Sequence, residues 1–409
     1  MSSSARVLFI LKHRTLESPY STGDYNCVSE RPLRPVEDEG EDGTSDGDYT
    51  KELSSGLSLS VEFCVQMLNK LGIWSKAVQV VDNNCIDREV HLHKPTHVVI
   101  EALWVVPSKF IILHKLHPTV QWIVRIHSEV PFLANEGVAV DWIIHAAAHP
   151  MVSIAANSMA ARRDVRQMLD VAFPSWTKEK LDSKIVYLPN YYMLDEMEKW
   201  VAWAKKRPPK GKQEIRLRDE VGTILNVGCF GSIRPLKNNL IQAVAALRFA
   251  EREHVKLHFH INSERTEGGA NILKNMRALF DGTQHQLIEH RWLEHLPFLR
   301  ILTWMDISLC VSLSETFCLV AADSIAAGVP TVVSRQIKWA SQFAVADPSN
   351  SFSIERTMRR ALNPTYHNLG LWLNNKALRR YCRRAESVWR NYFKPRRVRA
   401  NRTLAADAK

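Results

Sequence analysis

The sequence predicts an α/β protein built as two Rossmann-like, doubly wound domains facing across a cleft. Three observations predict it. The chain has 409 residues, more than one ordinary core needs and enough for two domains. Short runs rich in β-branched residues alternate with longer segments of helical periodicity, the pattern of parallel sheets covered on both faces. That alternation stops at residues 205–220, "KKRPPKGKQEIRLRDE", and then begins again.

"RVLFILK" (6–12) reads as a first buried strand. A polar loop follows over about 21–53, rich in acids, Gly and Ser; it lacks apolar periodicity and is expected to be mobile. "SSGLSLSVEFCVQMLNKLG" has Ser and Gly at its start, apolar residues at helical spacing and Gly72 as its stop, so it reads as a helix. Further strands are expected at 77–81, 96–105, 119–129, 152–158 and 184–190, with a helix opened by Pro107. These elements make up an N-terminal domain, 1–204.

After the 205–220 linker the alternation resumes over 221–375. Strands are expected at 223–230, 256–262, 286–290, 307–312 and "PTVVS". Helices are expected at 238–253, about 269–281, 296–305 and about 317–327. The end of the chain, 376–409, carries one long basic amphipathic helix (376–393) and a tail, placed back toward the N-terminal domain. Ligands in such sheets bind at the carboxyl ends of the strands, so the cleft is the expected site.

Composition narrows the class. Hydrophobic residues make up 45% and charged residues 24%, ordinary for a soluble globular protein. No apolar run reaches the length of a membrane span, and the N-terminus lacks the basic leader and cleavage site of a signal peptide. The seven cysteines are scattered without a CxxC pair, which fits reduced thiols and a cytoplasmic location. The net charge of +11 suggests an anionic partner: nucleic acid, a phosphorylated ligand or a membrane surface touched peripherally. Residues 37–48 are densely acidic, whereas 199–218 and 376–402 are basic. Trp200, Trp203, Trp372 and Trp389 lie within or beside the basic segments, as aromatic platforms along a polyanion would.

The stretch "SLSETFCLVAADSIAAGVPTVVS" (312–334) holds two acids eight residues apart, Glu315 and Asp323, in an otherwise apolar run. Glu315 falls in the loop leaving a buried strand, and Asp323 lies about two turns into the next helix. The backbone N–H groups of Phe317, Cys318 and Leu319 at that helix start would favour an anion such as a diphosphate. From spacing alone, an N-capping Glu and an exposed Asp fit equally.

"SETFCLVAADSIAAGVPTVV" resembles the signature of the retaining GT-B glycosyltransferases of group 1, also called glycosyltransferase family 4-like. That signature runs Glu, any residue, Phe-Gly, a second acid eight residues after the first, then Ala-x-Gly-x-Pro-Val. Two positions depart from it: Cys318 stands where the family has Gly, and Asp323 where it has a second Glu. "NVGCFGSIRPLKNN" (226–239) resembles the family's glycine-bearing phosphate loop. Lys237-Asn238 fits its Lys. Its Arg position holds Ser232, with Arg234 nearer the Lys, and Gly231 supplies the close backbone approach.

The resemblance implies a GT-B fold and a metal-independent, retaining transfer of a hexose or pentose from a nucleotide-sugar, with no cofactor and no metal ligands. Arg234, Lys237 and the helix start would neutralise the leaving diphosphate, Glu315 would hold sugar hydroxyls and Asp323 the ribose. His127, in "RIHSEVPFLANEG" (125–137), is the catalytic candidate of the N-terminal domain, with Glu129 and Glu136 as weaker ones. Gly56 resembles the family's glycine after strand one. Asn262 is expected to line the cleft, and Trp292 either stacks on the nucleotide base or sits in the core. The acceptor is left open between a hydroxylated base of modified DNA and a cell-envelope glycan. Two further readings stay open, a catalytically inactive GT-B binding module and a basic nucleic-acid-binding protein.

Overall fold

The N-terminal apolar runs pair into one sheet, whose central runs at 6–12, 97–101, 121–126 and 152–156 are buried along nearly their whole length. The computed structural model describes residues 5–13, 56–206, 218–219 and 222–394, so the acidic 37–48 stretch, Cys27 and most of the expected linker lie outside the described residues. The order is β1 (Arg6–Lys12), α1 (Gly56–Lys70), β2 (Trp74–Val80), α2 (Ile86–His93), β3 (His97–Glu101), α3 (Lys109–Leu116), β4 (Gln121–Ile126), α4 (Val130–Leu133), α5 (Ala139–Ala148), β5 (Val152–Ala156), α6 (Met159–Ala172), α7 (Lys178–Lys184) and β6 (Ile185–Tyr187). The strands lie in the order β2-β1-β3-β4-β5-β6. Helix α1 turns Val61, Cys64 and Leu68 inward at spacings of three and four, each fully buried.

A second sheet follows from α8 (Leu194–Lys205), β7 (Arg218–Asp219), β8 (Gly222–Gly228), α9 (Asn239–Glu253), β9 (Lys256–Asn262), α10 (Ala270–Phe280), β10 (Gln286–His290), α11 (His295–Leu302), β11 (Ile307–Cys310), α12 (Leu319–Ala326), β12 (Thr331–Ser334), β13 (Val345–Ala346), α13 (Ser351–Leu362) and α14 (Pro364–Phe393). Its order is β10-β9-β8-β11-β12-β13, with β7 paired antiparallel to β8. The chain divides into two compact units. Among the described residues the first holds 5–11, 60–193 and 379–394, and the second 12–13, 56–59, 194–206, 218–219 and 222–378.

Two expectations are corrected. The strand expected over 96–105 ends at Glu101, and Ala102 takes a left-handed φ of 70° where the chain leaves the sheet. The terminal helix begins at Pro364 rather than 376. No element is assigned from sequence to "NPTYHNLGLWLNN" (363–375), which holds Pro364 and Gly370, but Pro is at home in a helix's first turn. Gly370 is required by packing, since a Cβ there would meet the Phe343 ring at 2.7 Å. Among the described residues no helix is long and apolar enough to cross a membrane, and the six cysteines are free.

Candidate functional site

The loop after β8 is built to bring Lys237 to the end of β11. Residues Pro235–Lys237 form a single 3-10 turn, and Asn238 closes it at φ 63°, a left-handed conformation that Asn tolerates. The buried Asn238 side chain donates to the carbonyl oxygens of Val311 (3.0 Å) and Pro348 (2.7 Å), which pins the turn against the segment leaving β11. Lys237 Nζ thereby donates to Glu315 Oε2. Burial opposes ionisation of both groups, yet each holds the other charged. The Glu315 carboxyl stays below the usual carboxylate range beside Lys237, and the Lys237 ammonium stays above its own. Arg234 lies close enough to add to the depression at Glu315, and its guanidinium donates to Glu267 at 3.2 Å.

Helix α12 begins two residues later than expected, and this reassigns Phe317. Phe317 is 1% exposed, and its carbonyl accepts from Trp339 Nε1 at 2.6 Å, so it anchors the loop. Cys318 precedes the helix at φ 63°, ψ 87° and makes no side-chain cap. That backbone conformation accounts for a glycine at this position in the resembled signature, and Cys318 adopts it with a buried thiol. The first bond of the helix ladder runs from Ala322 N to Cys318 O at 3.3 Å. The amides of Leu319, Val320 and Ala321 therefore have no acceptor within the helix, and the anion-favouring end starts at Leu319. Glu315 is an ion-pair partner rather than the helix cap.

A pocket of about 530 Å³, counting the solvent at its mouth, opens within the second unit beside these loops. Gly231, at φ 108°, lines it and donates its amide to Asn262 Oδ1 at 3.0 Å. Asn262 in turn donates to the Arg291 carbonyl at 3.2 Å, so its amide side chain is a brace. Trp292 lines the pocket half-buried, with the Arg265 guanidinium 5.0 Å from its ring centroid, and is not a core Trp. Leu293 and Phe298 add apolar surface, and Gly56 and Leu319 line the same pocket. A Cβ on Gly56 would stand 3.3 Å from Leu319 Cδ1. Asp323 is not exposed on its helix. It is 2% exposed, and its Oδ1 accepts from His295 Nε2 at 2.8 Å. His295 also lines the pocket, and sequence reading missed it.

His127 lies in the first unit, one residue past β4. Its Nε2 is hydrogen-bonded to Glu101 Oε2, and its Nδ1 faces Asn157 Nδ2 at 3.4 Å. Glu101 and Arg125 are directly paired in the β3–β4 register and fully buried, with Arg125 NH1 3.2 Å from both carboxylate oxygens. Arg125 also donates to Asn190 Oδ1 (2.7 Å) and to the Leu188 carbonyl (3.0 Å). Burial, then the Arg125 charge, pushes the His127 imidazole below its usual value against the pull of Glu101, so it is neutral at neutral pH. Sequence reading missed Glu101 and Arg125; the available signal was a charge inside each of two apolar strands. Glu129 is 8% exposed and accepts from the Ser158 hydroxyl at 3.2 Å, while Glu136 is exposed.

The aromatic platforms expected along a polyanion divide. Trp203 and Trp372 are exposed, but Trp389 is fully buried, packed near Phe9 and donating to the Pro189 carbonyl at 2.8 Å.

No protein family and no curated protein matches this sequence. Solved structures do. OtsA without ligand aligns with a TM-score of 0.66 at 11% identity, covering 95% of this chain and 99% of that one. A trehalose-6-phosphate structure from E. coli bound with UDP-2-fluoro glucose aligns at 0.61 and 11% identity, over 95% and 97%. A UDP-forming α,α-trehalose-phosphate synthase from Burkholderia xenovorans aligns at 0.59 and 15% identity, over 76% of each chain. At these identities the shared property is the fold, which is GT-B.

Proposed function

We propose that this chain is a retaining, metal-independent glycosyltransferase that moves a sugar from a nucleoside-diphosphate donor to an acceptor hydroxyl. The observation that carries this reading is the Lys237–Glu315 pair beside the start of α12, next to a mostly apolar pocket at the carboxyl ends of the second sheet. The solved structures of the same fold add support, because one of them is described with a UDP-sugar and another as UDP-forming.

In this reading the second unit is the donor side. The base lies against Trp292 and Phe298, and the diphosphate against Gly231 and the amides of Leu319 and Val320. Arg234 and Lys237 meet the charge that builds on the leaving diphosphate, the work a divalent cation does elsewhere. Glu315 accepts from sugar hydroxyls once a phosphate draws Lys237 away from it. The acceptor oxygen attacks on the face from which the diphosphate departs, which retains the anomeric configuration. The first unit is read as the acceptor side, where His127, neutral and held by Glu101, offers an edge to acceptor hydroxyls.

For the acceptor, a related synthase is described in complex with glucose-6-phosphate, which makes a phosphorylated sugar the first acceptor to try. A hydroxylated DNA base and an envelope glycan are the other two, the first because Arg380, Arg383 and Arg384 are exposed on α14. A second reading, a nucleotide-binding module without turnover, is favoured by the strained Cys318. Release of nucleoside diphosphate from UDP-, ADP- and GDP-sugars, with each acceptor present, separates the two. Turnover in wild type that disappears in Lys237→Ala supports transfer. Binding without turnover under every condition supports the module.

A further inference from the structure

Glu355, on α13, gathers more positive charge than it can balance. Its side chain is 5% exposed, and three arginines converge on it from two helices of the second unit. Arg248 Nε (3.3 Å) and Arg252 Nη1 (3.2 Å) reach it from α9, and Arg359 Nη2 (3.2 Å) from one turn further along α13. A buried carboxylate needs a counter-charge, but one guanidinium supplies it. The second and third add repulsion between like charges that Glu355 does not offset.

The surroundings deepen the imbalance. Arg359 also pairs with Glu253 at 3.1 Å. Arg356 and Arg360 are exposed on α13 at i+4 and i+8 from Phe352, and Arg356 pairs with no carboxylate among the described residues. Burial and then the Arg356 charge hold the Arg360 guanidinium below its usual value. Glu251, also on α9, is turned to His285 at 2.8 Å. Two acids, Glu355 and Glu253, therefore face five arginines, an excess of three positive charges. Arg359 Nε is buried with no hydrogen-bond partner among the described residues, so donors outnumber acceptors as well.

Helix dipoles account for part of this. Arg252 lies in the last turn of α9, and Arg359 and Arg360 in the last turn of α13, where a cation is favoured. Arg248 and Arg356 lie before those turns, outside that effect. Arg248 is also held over the exposed Phe352 ring, 3.8 Å from guanidinium carbon to ring centroid, so its position is set before a ligand arrives. The side chains of Arg248, Arg252 and Arg359 are 40%, 64% and 42% exposed, within reach of a ligand from solvent.

We propose that the arginine cluster on α9 and α13 binds a phosphate dianion, as inorganic phosphate or as the phosphate group of a small phosphate monoester. Guanidinium forks match phosphate oxygens in pairs. A dianion offsets most of the excess charge, whereas a carboxylate would leave the larger part of it. None of these arginines lines the donor pocket, so the site is separate and stands whether or not that pocket takes a nucleotide.

Melting temperature against phosphate concentration, at constant ionic strength set with chloride, reports the affinity. The probes are inorganic phosphate and glucose-6-phosphate, with acetate as a monoanion. The proteins are wild type, Arg248→Lys, Arg252→Gln/Arg356→Gln, Lys237→Ala and a control for lost charge, Lys115→Gln/Arg163→Gln, two exposed residues of the first unit. Cooperative melting without ligand shows that each variant folds. Phosphate is expected to stabilise wild type where acetate does not. Arg252→Gln/Arg356→Gln weakens phosphate roughly tenfold, Arg248→Lys weakens it less because Lys keeps the charge without the fork, and the control and Lys237→Ala retain it. Tighter binding of glucose-6-phosphate than of inorganic phosphate identifies a monoester as the ligand, and the reverse identifies free phosphate. A phosphate effect unchanged in folded Arg252→Gln/Arg356→Gln, or lost equally in the charge control, overturns the proposal. So does an effect that disappears in folded Lys237→Ala, an equal effect of acetate, or no effect of either phosphate on wild type.

Discussion

Lys237 and Glu315, 78 residues apart in sequence, form a hydrogen-bonded ion pair joining the loop after β8 to the loop after β11. The pairing depends on two left-handed residues, Asn238 at φ 63° and Cys318 at φ 63°, one beside each partner's loop. Both turns bend the chain back toward the ends of the strands, which is how two sequence-distant charges come to share one small space.

Removing one member of this pair leaves the other charged with little water around it. Lys237→Met or Glu315→Leu alone is expected to cost about 3 kcal/mol of stability, and the double change less than the sum of the two. Urea denaturation of the four proteins checks it. The acid limb adds a sign. Glu315 titrates below its ordinary value of 4.5 in the folded state, so its contribution is full above pH 4.5 and fades as pH falls through the folded value. The double variant should therefore lose less stability than wild type below pH 4.5.

Glu101 and Arg125 are both fully buried, which makes their pairing less forgiving. Glu101→Gln leaves the Arg125 guanidinium with only neutral partners at Asn190 and Leu188, and the expected loss is about 4 kcal/mol. His127→Ala keeps the Arg125 bonds and is expected to cost about 1 kcal/mol. Chemical denaturation of the two variants side by side decides; equal losses would mean that His127, not Arg125, is what Glu101 chiefly serves.

Asn238 separates backbone strain from hydrogen bonding. Asn238→Ala loses the bonds to Val311 and Pro348 and places a Cβ-bearing residue without a local polar group at φ 63°. Asn238→Gly loses the same bonds and relieves the backbone. Thermal melts should rank wild type above Asn238→Gly and that above Asn238→Ala, with about 1 kcal/mol between the two variants.

His260 gives the second sheet an acid sensitivity of its own. It is fully buried, with Nδ1 2.9 Å from His290 Nε2 and Nε2 3.1 Å from Asn226 Oδ1. Burial, together with the neighbouring His290 and His258, pushes it down to about 3. The unfolded chain takes up this proton near the ordinary value of 6.5, so stability is full above pH 6.5 and is lost as pH falls toward 3. The slope from this group is about 1.4 kcal/mol per pH unit. In His260→Gln, the unfolding free energy from denaturant titrations should fall between pH 6.5 and 5 with a slope shallower than wild type's by up to about that much.

The parallel strands were legible because burial on both faces leaves uninterrupted apolar runs such as "RVLFILK" and "ISLCVS". The Lys237 and Glu315 loops stood out through their resemblance to a family signature, since spacing alone left Glu315 open between a helix cap and an anion-site residue. What could not be read is what depends on pairing across the sheet. Glu101 meets Arg125 only through the β3–β4 register, and His295 meets Asp323 only because α11 packs beside α12. The first half of α14 was hidden for a different reason: Gly370 answers to the Phe343 ring, a contact that no local pattern records.

The most direct measurement is the calorimetric affinity of wild type for UDP against uridine, with ADP against adenosine and GDP against guanosine alongside. If Lys237, Arg234 and the amides of α12 receive a diphosphate, the diphosphate of the preferred base binds at least roughly a hundredfold tighter than its nucleoside, from two or more charge-assisted bonds. Lys237→Ala then loses most of that margin. Equal affinity for nucleoside and nucleoside diphosphate, or a margin untouched in a folded Lys237→Ala, would contradict it.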